Sequence, residues 1–362
     1  MTTSLSTPPS PARPIRVKLL GKWKPDGDGA GWGNYFPAAT GRRWGPCEFT
    51  FDRHDRTYDW LVVYDDLPSL AGERHTLWTE ELACPPENTL LILTEPSSVK
   101  TYGSAYARQF HWVLGTQEPW ALHHPRVIRR QPGLIWFYAY GRPRGHIDAL
   151  RARVPLDKIS FASTVCSSKR EGHTLHSRRY DFVQALKREL PELEVYGHGV
   201  RPVVEKADAL DPFRYHLAIE NHLAPHHWTE KLSDAFLGCC MPVYFGCAEA
   251  ESYFPEGSFL RLPSLDDPAA LAETLRRAER DRLWEKSVPA ILEARRLVLE
   301  RYGPVAQLCE LIAERHDFSS PAPAPGARAI LSRHRLRKRD WWGGLAFALE
   351  KTRNRVHGRF TQ

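Results

Sequence analysis

Short hydrophobic runs alternate with amphipathic stretches along the second half of the chain, and this pattern is typical of an α/β protein. It predicts strands at residues 158–163, 194–196, 213–219, 242–246 and 259–262. It predicts helices, where hydrophobic residues recur at spacings of three and four, at 178–190, 229–240, 268–280 and 283–300. Because strands that alternate with helices form parallel sheets with right-handed crossovers, we expect one parallel sheet here.

The first half has the same kind of hydrophobic run but weaker helical patterning. Strands are predicted at 15–20, 58–64, 89–94, 110–114 and 134–140, and helices at 67–82 and 99–109. Residues 22–44 are rich in Gly, Trp, Asn and Asp, so they are expected to form a long loop. We therefore expect a second α/β domain in this half.

Length and composition fit two ordinary globular domains, since the chain has 362 residues of which 42% are hydrophobic. We expect a disordered tail at 1–14, a first domain at 15–151 and a second at 152–318. The stretch SSPAPAPG predicts a linker at 319–328, and 329–362 form a basic amphipathic tail. The N-terminus has no signal-peptide pattern and no run is long enough to span a membrane, so we expect a cytoplasmic protein.

The positive charge is concentrated in the tail. The chain carries a net charge of +7, and residues 329–362 hold nine Lys or Arg against two Asp or Glu, which accounts for all of it. A neutral body argues against nucleic-acid binding. Basic residues beside Trp341, Trp342, Leu345 and Leu349 suggest contact with the anionic inner face of the cell membrane. The alternatives are a helix that packs back on the body, or a solvated end; Gly343 and Gly344 weaken any helix.

Seven cysteines without a CxxC pair indicate free thiols and no structural zinc site. Histidines at 216, 222, 226 and 227 have no common metal-ligand spacing, so we interpret them as loop histidines. Asp65 and Asp66 follow a predicted strand, and we interpret them as ordinary strand-end aspartates. No metal site is predicted.

The most informative stretch is FRYHLAIENHLAPHHWTEKLSDAFLGCCMPVYFG, residues 213–246. It predicts a βαβ unit, which binds ligands at the carboxyl end of its first strand, against the helix N-terminus. Glu230 and Lys231 lie side by side in the first helical turn. A lysine beside free backbone N–H groups suits a diphosphate, and a carboxylate can accept hydrogen bonds from sugar hydroxyls. A nucleotide-sugar needs both contacts.

This stretch resembles the donor motif of the α1,3/4-fucosyltransferase family, which are inverting glycosyltransferases that use GDP-fucose. The elements AIEN, WTEKLSDAFLGC and MPVYFG occur here at the family's spacing. The sequence departs at His222, where the family has serine, and at His227 and Trp228, where it has Tyr-Val. The resemblance implies two Rossmann-like domains facing a cleft, the GT-B glycosyltransferase architecture.

The resemblance also implies roles for particular residues. Asn221, His227, Thr229, Glu230 and Lys231 would bind the donor, with His227 in place of the family's tyrosine. For Asn221 the alternative is to satisfy backbone groups at the strand end. For Glu230 and Lys231 the alternative is that they are ordinary charged residues in the first turn of a helix, where Glu complements the helix dipole.

Two further residues come from outside the motif. Arg179, in the pattern Arg-Tyr-Asp-Phe-Val-Gln-Ala-Leu after Ser167 and Ser168, would clamp the diphosphate, or else be a solvated helix-start arginine like its neighbour Arg178. Glu95, after a buried strand, would be the general base that deprotonates the acceptor hydroxyl, or else a turn carboxylate that caps the next helix.

The resulting prediction is transfer of L-fucose from GDP-fucose to a hydroxyl of a glycan acceptor, in an α1,3-type linkage, for cell-surface polysaccharide or lipopolysaccharide synthesis. No metal cofactor is expected at the catalytic centre. The alternatives are a glycosyltransferase of this fold with another nucleotide-sugar, or a non-catalytic glycan- or membrane-binding protein on the same scaffold.

Overall fold

The computed structural model describes residues 13–22, 31–168, 175–317, 319, 328–339 and 341–361. The predicted N-terminal tail and linker lie almost entirely outside these residues. The first half contains β1 (Ile15–Gly21), β2 (Arg43–Trp44), β3 (Cys47–Thr50), β4 (Trp60–Tyr64), β5 (Thr79–Glu81), β6 (Thr89–Ile92), α1 (Ser104–Ala107), β7 (Trp112–Gly115), β8 (Val127–Arg129) and α2 (Ile147–Ala152).

The second half contains β9 (Ser160–Val165), α3 (His176–Glu189), β10 (Leu193–Tyr196), β11 (Phe213–Ile219), α4 (Glu230–Leu237), β12 (Met241–Phe245), α5 (Ala250–Tyr253), β13 (Leu260–Arg261), α6 (Pro268–Arg280), α7 (Leu283–Glu300) and α8 (Pro304–Ala313). The C-terminal segment contains β14 (Ala329–Leu331), α9 (Arg333–Arg339) and α10 (Trp341–Thr361). Single 3-10 turns occupy Trp32–Tyr35, Ala38–Thr40, Pro86–Asn88, Pro143–Gly145 and Lys206–Ala209.

Two mainly parallel sheets organise the molecule. The first has the order β2-β3-β1-β4-β6-β7-β8, and only the β2–β3 pair in it is antiparallel. The second has the order β10-β9-β11-β12-β13, with all neighbours parallel. Residues from the carboxyl ends of both sheets line one shared cleft. The predicted architecture of two Rossmann-like domains of the GT-B type is therefore confirmed.

One hydrophobic core joins the two halves. It contains Val17 and Trp60 from the first sheet together with Trp228, Leu232 and Phe236 from the second half, and all five side chains are buried. α8 follows the second sheet in the chain but packs on β2 and β3 of the first. Burial of these apolar side chains stabilises both halves, so the two halves meet in a closely packed interface. The predicted boundary at residue 151 stays a prediction.

Three predictions for the first half were wrong. Residues 67–82 form no helix, and their last part is β5, which pairs with β14. Residues 99–109 contain only the four-residue α1, and 134–140 form no strand. In that last segment Trp136 and Tyr138 are buried, and Ala139 turns the chain with a φ of 52°. The hydrophobic side chains of this segment therefore pack into the core, and its backbone does not pair with a strand.

The C-terminal segment packs back on the first half, which was one of the predicted alternatives. Ile330 in β14 is fully buried in the core of that half. The Asn354 side chain in α10 donates to the carbonyl of Ala121, and Glu350 accepts from the Ser104 backbone N–H. Gly343 and Gly344 do not interrupt α10, because these contacts offset a helix-propensity cost of about 1 kcal/mol per glycine. Within the described ranges, no helix is both long and apolar enough to cross a membrane.

Candidate donor and acceptor cleft

The cleft between the sheets is a cavity of about 380 Å³. Its polar walls come from the end of β11, the start of α4 and the loop after β6. Six of the seven predicted site residues line it, namely Glu95, Asn221, His227, Thr229, Glu230 and Lys231. The remaining lining residues were not predicted as site residues, and they are Tyr64, Thr94, Pro96, Val99, Leu134, Ile135, Phe137 and Glu220.

Glu220 organises the wall of the cleft formed by the end of β11 and the start of α4, which we call the donor wall after its predicted role. Its carboxylate is fully buried and accepts from the Thr229 backbone N–H at 2.8 Å and from the Thr229 hydroxyl at 2.8 Å. Thr229 is the N-cap of α4, and its hydroxyl accepts from the Lys231 N–H. The strand end and the helix start are thereby locked together. Sequence reasoning quoted Glu220 inside the motif but gave it no role, because a buried carboxylate that holds a loop has no separate sequence signal.

Lys231 is a fixed cation at the start of α4. Its Nζ lies 3.0 Å from Glu230 Oε1 and 3.3 Å from Glu220 Oε2. Burial opposes charge on Lys231, but the two carboxylates outweigh it and raise its pKa. Burial likewise opposes charge on Glu230, but Lys231 and Lys206 lower the pKa of Glu230 to about 2. Both groups are therefore charged at neutral pH, and the ammonium is held where a diphosphate would meet the helix N-terminus.

Arg179 lies in the first turn of α3, behind the donor wall and outside the cavity lining. It is only 6% exposed, whereas Arg178 reaches the surface and pairs with Asp266 at 2.7 Å. Its Nη1 lies 3.5 Å from the carbonyl of Ile219, which directly precedes Glu220. Its buried Nε has no hydrogen-bond partner within the described part of the chain. Arg179 is thus not a solvated helix-start arginine, and its guanidinium lies behind the end of β11.

The rings of His222 and His227 pack edge to face with centroids 5.4 Å apart, and each side chain contacts a different residue of the first half. His227 Nδ1 lies 2.9 Å from the Thr116 hydroxyl, and His222 Nε2 lies 3.0 Å from Glu118, so both connect the donor loop to the first half. Burial, with the charges of His222 and Lys231, lowers the pKa of His227 to about 3, so its ring is neutral. Among the described residues no three His, Cys, Asp or Glu side chains converge as a metal site. That no metal is needed stays a prediction.

Glu95 stands on the opposite wall, after β6, with its side chain open to the cleft. Its carboxylate makes no hydrogen bond or ion pair to another side chain among those the structure describes, so it is not held as a helix cap. Partial burial raises the pKa of Glu95, and the negative charge of Asp65 raises it further. A free carboxylate with a raised pKa, facing the donor wall, has the properties of a general base.

A hydrogen-bond network fixes the backbone beneath Glu95. The Tyr102 hydroxyl accepts from the Thr94 N–H at 2.9 Å and the Glu95 N–H at 3.2 Å, and it donates to Asp65 at 2.7 Å. Asp65 also pairs with Lys100 and adopts a φ of 77°, a strained value for a non-glycine residue. The predicted interpretation of Asp65 as an ordinary strand-end aspartate was therefore incomplete.

The C-terminal segment supports this network from behind. Arg333 in α9 donates through Nη2 to the Thr101 carbonyl at 2.5 Å and through Nε to the Tyr102 carbonyl at 3.2 Å. Its backbone N–H donates to Asp66 at 3.1 Å. The basic tail thus helps to build the wall that carries Glu95, which charge patterning alone could not indicate.

Comparison with known proteins gives a match in the second half. The family model described as glycosyltransferase family 10 (fucosyltransferase), C-terminal, matches residues 158–301. A chimpanzee (Pan troglodytes) relative, 3-galactosyl-N-acetylglucosaminide 4-alpha-L-fucosyltransferase FUT3, is 30% identical over 112 residues, which are 30% of this chain and 30% of that protein. The human 4-galactosyl-N-acetylglucosaminide 3-alpha-L-fucosyltransferase FUT6 is 29% identical over 111 residues, which are 29% of this chain and 31% of that protein. The match thus spans less than a third of either relative.

Solved structures show a weaker likeness over more of the chain. A crystal structure of an α1,3-fucosyltransferase aligns with a TM-score of 0.47 at 15% identity, over 79% of this chain and 84% of that one. An α1,3-fucosyltransferase structure with GDP-fucose aligns with a TM-score of 0.43 at 16% identity, over 83% and 94%. Residues 158–301 are therefore similar to the C-terminal domain of glycosyltransferase family 10, the fucosyltransferases.

Proposed function

We propose that the chain is an inverting fucosyltransferase that moves L-fucose from GDP-fucose to a hydroxyl of a glycan acceptor. One observation carries the proposal: a charged lysine fixed at a helix N-terminus faces a free carboxylate with a raised pKa across a single cleft. The relatives' names include both 3-alpha- and 4-alpha-L-fucosyltransferases, and we assign the α1,3-type linkage. The biological role in this proposal is synthesis of cell-surface polysaccharide or lipopolysaccharide.

The donor would lie on the second half, over the end of β11. Lys231, Arg179 and the N-terminus of α4 would stabilise the negative charge that develops on the departing GDP. Glu230 would accept hydrogen bonds from sugar or ribose hydroxyls, with Asn221 and Thr229 beside it. His227 is neutral and would donate or accept at the diphosphate without adding charge.

The acceptor would enter from the first half. Glu95 would take the proton of the acceptor hydroxyl while that oxygen attacks the anomeric carbon and the bond to GDP breaks. Attack from the face opposite the leaving group converts the β-linked donor into an α-fucoside. Two fixed cations and a helix N-terminus can neutralise the leaving group, so we propose that the step needs no divalent metal.

The donor assignment predicts nucleotide selectivity. Isothermal calorimetry with EDTA present should show GDP binding at least about tenfold tighter than UDP or TDP, a difference of about 1.4 kcal/mol. Lys231→Arg, which keeps the positive charge, should still bind GDP. Tight UDP binding without GDP binding would instead support the alternative of another nucleotide-sugar on this fold.

We also propose that α10 lies on an anionic membrane surface. Trp341, Trp342, Leu345, Leu349 and Val356 are all exposed, Trp341 by 68%, and their spacing places them on one helix face. The residues that contact the first half, among them Glu350 and Asn354, lie on the opposite face. Exposed arginines and lysines of α9 add positive charge beside this apolar face.

This second proposal predicts vesicle binding that depends on the exposed face. The protein should float with vesicles that contain phosphatidylglycerol and not with pure phosphatidylcholine, and high salt should release it. Trp341→Ala with Trp342→Ala should abolish flotation, while Ile159→Ala, at an exposed site elsewhere, should not. Failure of the wild-type protein to float at low salt would refute the membrane contact.

A further inference from the structure

An exposed aromatic pair includes one residue of the cleft lining. Phe137 is 43% exposed and Tyr140 is 45% exposed, and their rings meet edge to face with centroids 5.7 Å apart. Phe137 lines the cavity itself. Full burial of a phenylalanine side chain stabilises a protein by about 1.5–3 kcal/mol, and an exposed phenylalanine does not contribute this stabilisation. Aromatic side chains with one open face at a polar cleft are typical of ligand sites.

The segment that carries these rings is firmly built. Trp136 and Tyr138 alternate with Phe137 and are buried in the core, and the Tyr138 hydroxyl donates to Asp211 at 2.6 Å. Ala139 has a φ of 52°, which turns the chain so that Tyr140 points outward. The exposure of both rings is therefore imposed by their neighbours.

A buried carboxylate ties the segment to the donor helix. The Phe137 backbone N–H donates to Asp234 Oδ1 at 3.0 Å, and Asp234 lies one turn after Glu230 in α4. Lys206 pairs with the same carboxylate at 2.6 Å. Phe137 is thus held at a fixed position relative to the residues proposed to bind the donor.

The proposed general base lies beside a second apolar edge. Val99 is 48% exposed, lines the same cavity and follows Glu95 by four residues in one turn. Leu134 and Ile135 complete the apolar lining of the cavity. The cleft therefore offers apolar side chains in the same lining as the Glu95 carboxylate, which has no side-chain partner among the residues that the structure describes.

We propose that Phe137 is the platform for the acceptor, and that the acceptor unit it takes is an uncharged pyranose ring. This inference rests on the proposed fucosyltransferase function and names the substrate class for it. A pyranose has a face of C–H groups that packs on an aromatic ring, while its rim of hydroxyls stays available for hydrogen bonds. A ring stacked on Phe137 and flanked by Val99 presents a hydroxyl to Glu95.

The apolar lining also selects against charge on this unit. Lys100 and Lys22, two cations near this wall, both face Asp65, and Lys100 forms a close ion pair with it. An anionic sugar on Phe137 would lose hydration next to the Glu95 carboxylate without gaining a counter-charge from these two paired lysines. The other occupant that an aromatic platform could take is the guanine base of the donor, and the experiment distinguishes the two.

The test compares Phe137→Ala, Phe137→Trp and Ile159→Ala. The three measurements are the KM for the acceptor, the Kd for GDP, and GDP-fucose hydrolysis without acceptor. The acceptor is the best substrate from a panel of neutral disaccharide glycosides that includes 4-galactosyl-N-acetylglucosamine. The expected results differ between the variants. Phe137→Ala should raise the acceptor KM about tenfold or more, as expected for loss of an aromatic contact. The Kd for GDP and the hydrolysis rate should change less than about twofold. Phe137→Trp keeps an aromatic face and should retain acceptor binding, and Ile159→Ala should match wild type.

Two results would overturn the platform while leaving the transferase proposal intact. One is an acceptor KM that Phe137→Ala leaves unchanged. The other is a loss of GDP affinity as large as the rise in KM, which would assign Phe137 to the base. A wild-type protein that neither binds GDP nor hydrolyses GDP-fucose would instead refute the proposed function, and the platform with it.

Discussion

Glu95→Gln is expected to lower fucose transfer by about 10²- to 10⁴-fold, the range that general-base catalysis contributes. Glutamine keeps the shape of the side chain but cannot accept the hydroxyl proton. GDP binding should persist, because the residues proposed to bind the donor lie on the opposite wall. The measurements are kcat for transfer and the Kd for GDP by calorimetry.

The same variant should change the pH dependence. Glu95 must be ionised to act, and its pKa is raised above the ordinary 4.5 by partial burial and by Asp65. Wild-type kcat/KM should therefore fall as the pH drops through that raised pKa, and Glu95→Gln should lack this acidic limb. Glu87→Gln, at the exposed amino end of the strand that leads to Glu95, is the control and should behave as wild type. A Glu95→Gln enzyme with the wild-type rate and profile would exclude Glu95 as the base.

Lys231→Ala is expected to lower both activity and stability. Loss of a fixed charge that stabilises the leaving group should reduce kcat by about 10²- to 10³-fold. The fully buried Glu220 would lose its nearest cation, which should reduce the free energy of unfolding by about 3–5 kcal/mol. Donor hydrolysis and urea unfolding measure the two effects separately.

A double variant separates the two consequences. Lys231→Met with Glu220→Gln removes the unpaired buried charge, so it should regain much of the lost stability but none of the lost transfer. Lys231→Arg should keep part of both. Equal donor hydrolysis by wild type and Lys231→Ala would support the alternative of a non-catalytic binding protein on this scaffold.

The position of the C-terminal segment changes the interpretation of the basic tail. Arg333 holds the Thr101 and Tyr102 carbonyls, and Tyr102 holds the backbone of Glu95. Arg333 therefore supports the wall that carries Glu95, while Trp341, Trp342 and Leu349 on the outward face of α10 stay exposed. The C-terminal segment therefore has two faces. One face is exposed and carries most of the positive charge, and the other holds Arg333 against the first half.

By itself, the sequence determined the second half of the molecule. The periodicity of the hydrophobic residues predicted β11, α4 and β12. The positions of Glu230 and Lys231 at the start of α4 then predicted one wall of the cleft. This was possible because a βαβ unit brings the end of its first strand close to the start of its helix through local connections. The first half was less predictable, since 67–82 and 134–140 are hydrophobic without being helix or strand. The conformation of those residues is determined by long-range packing, which a local sequence pattern cannot predict.

Only the tertiary structure decided which charges are free and which are held. Arg178 and Arg179 are adjacent in sequence, yet one reaches the surface and the other is buried behind the donor wall. Glu220 and Glu95 both follow hydrophobic strands, yet the first is locked by Thr229 and Lys231 and the second faces an open cleft. Burial and partner contacts set the chemistry of an ionisable group, and both depend on residues that are far apart in the chain and meet only when it folds.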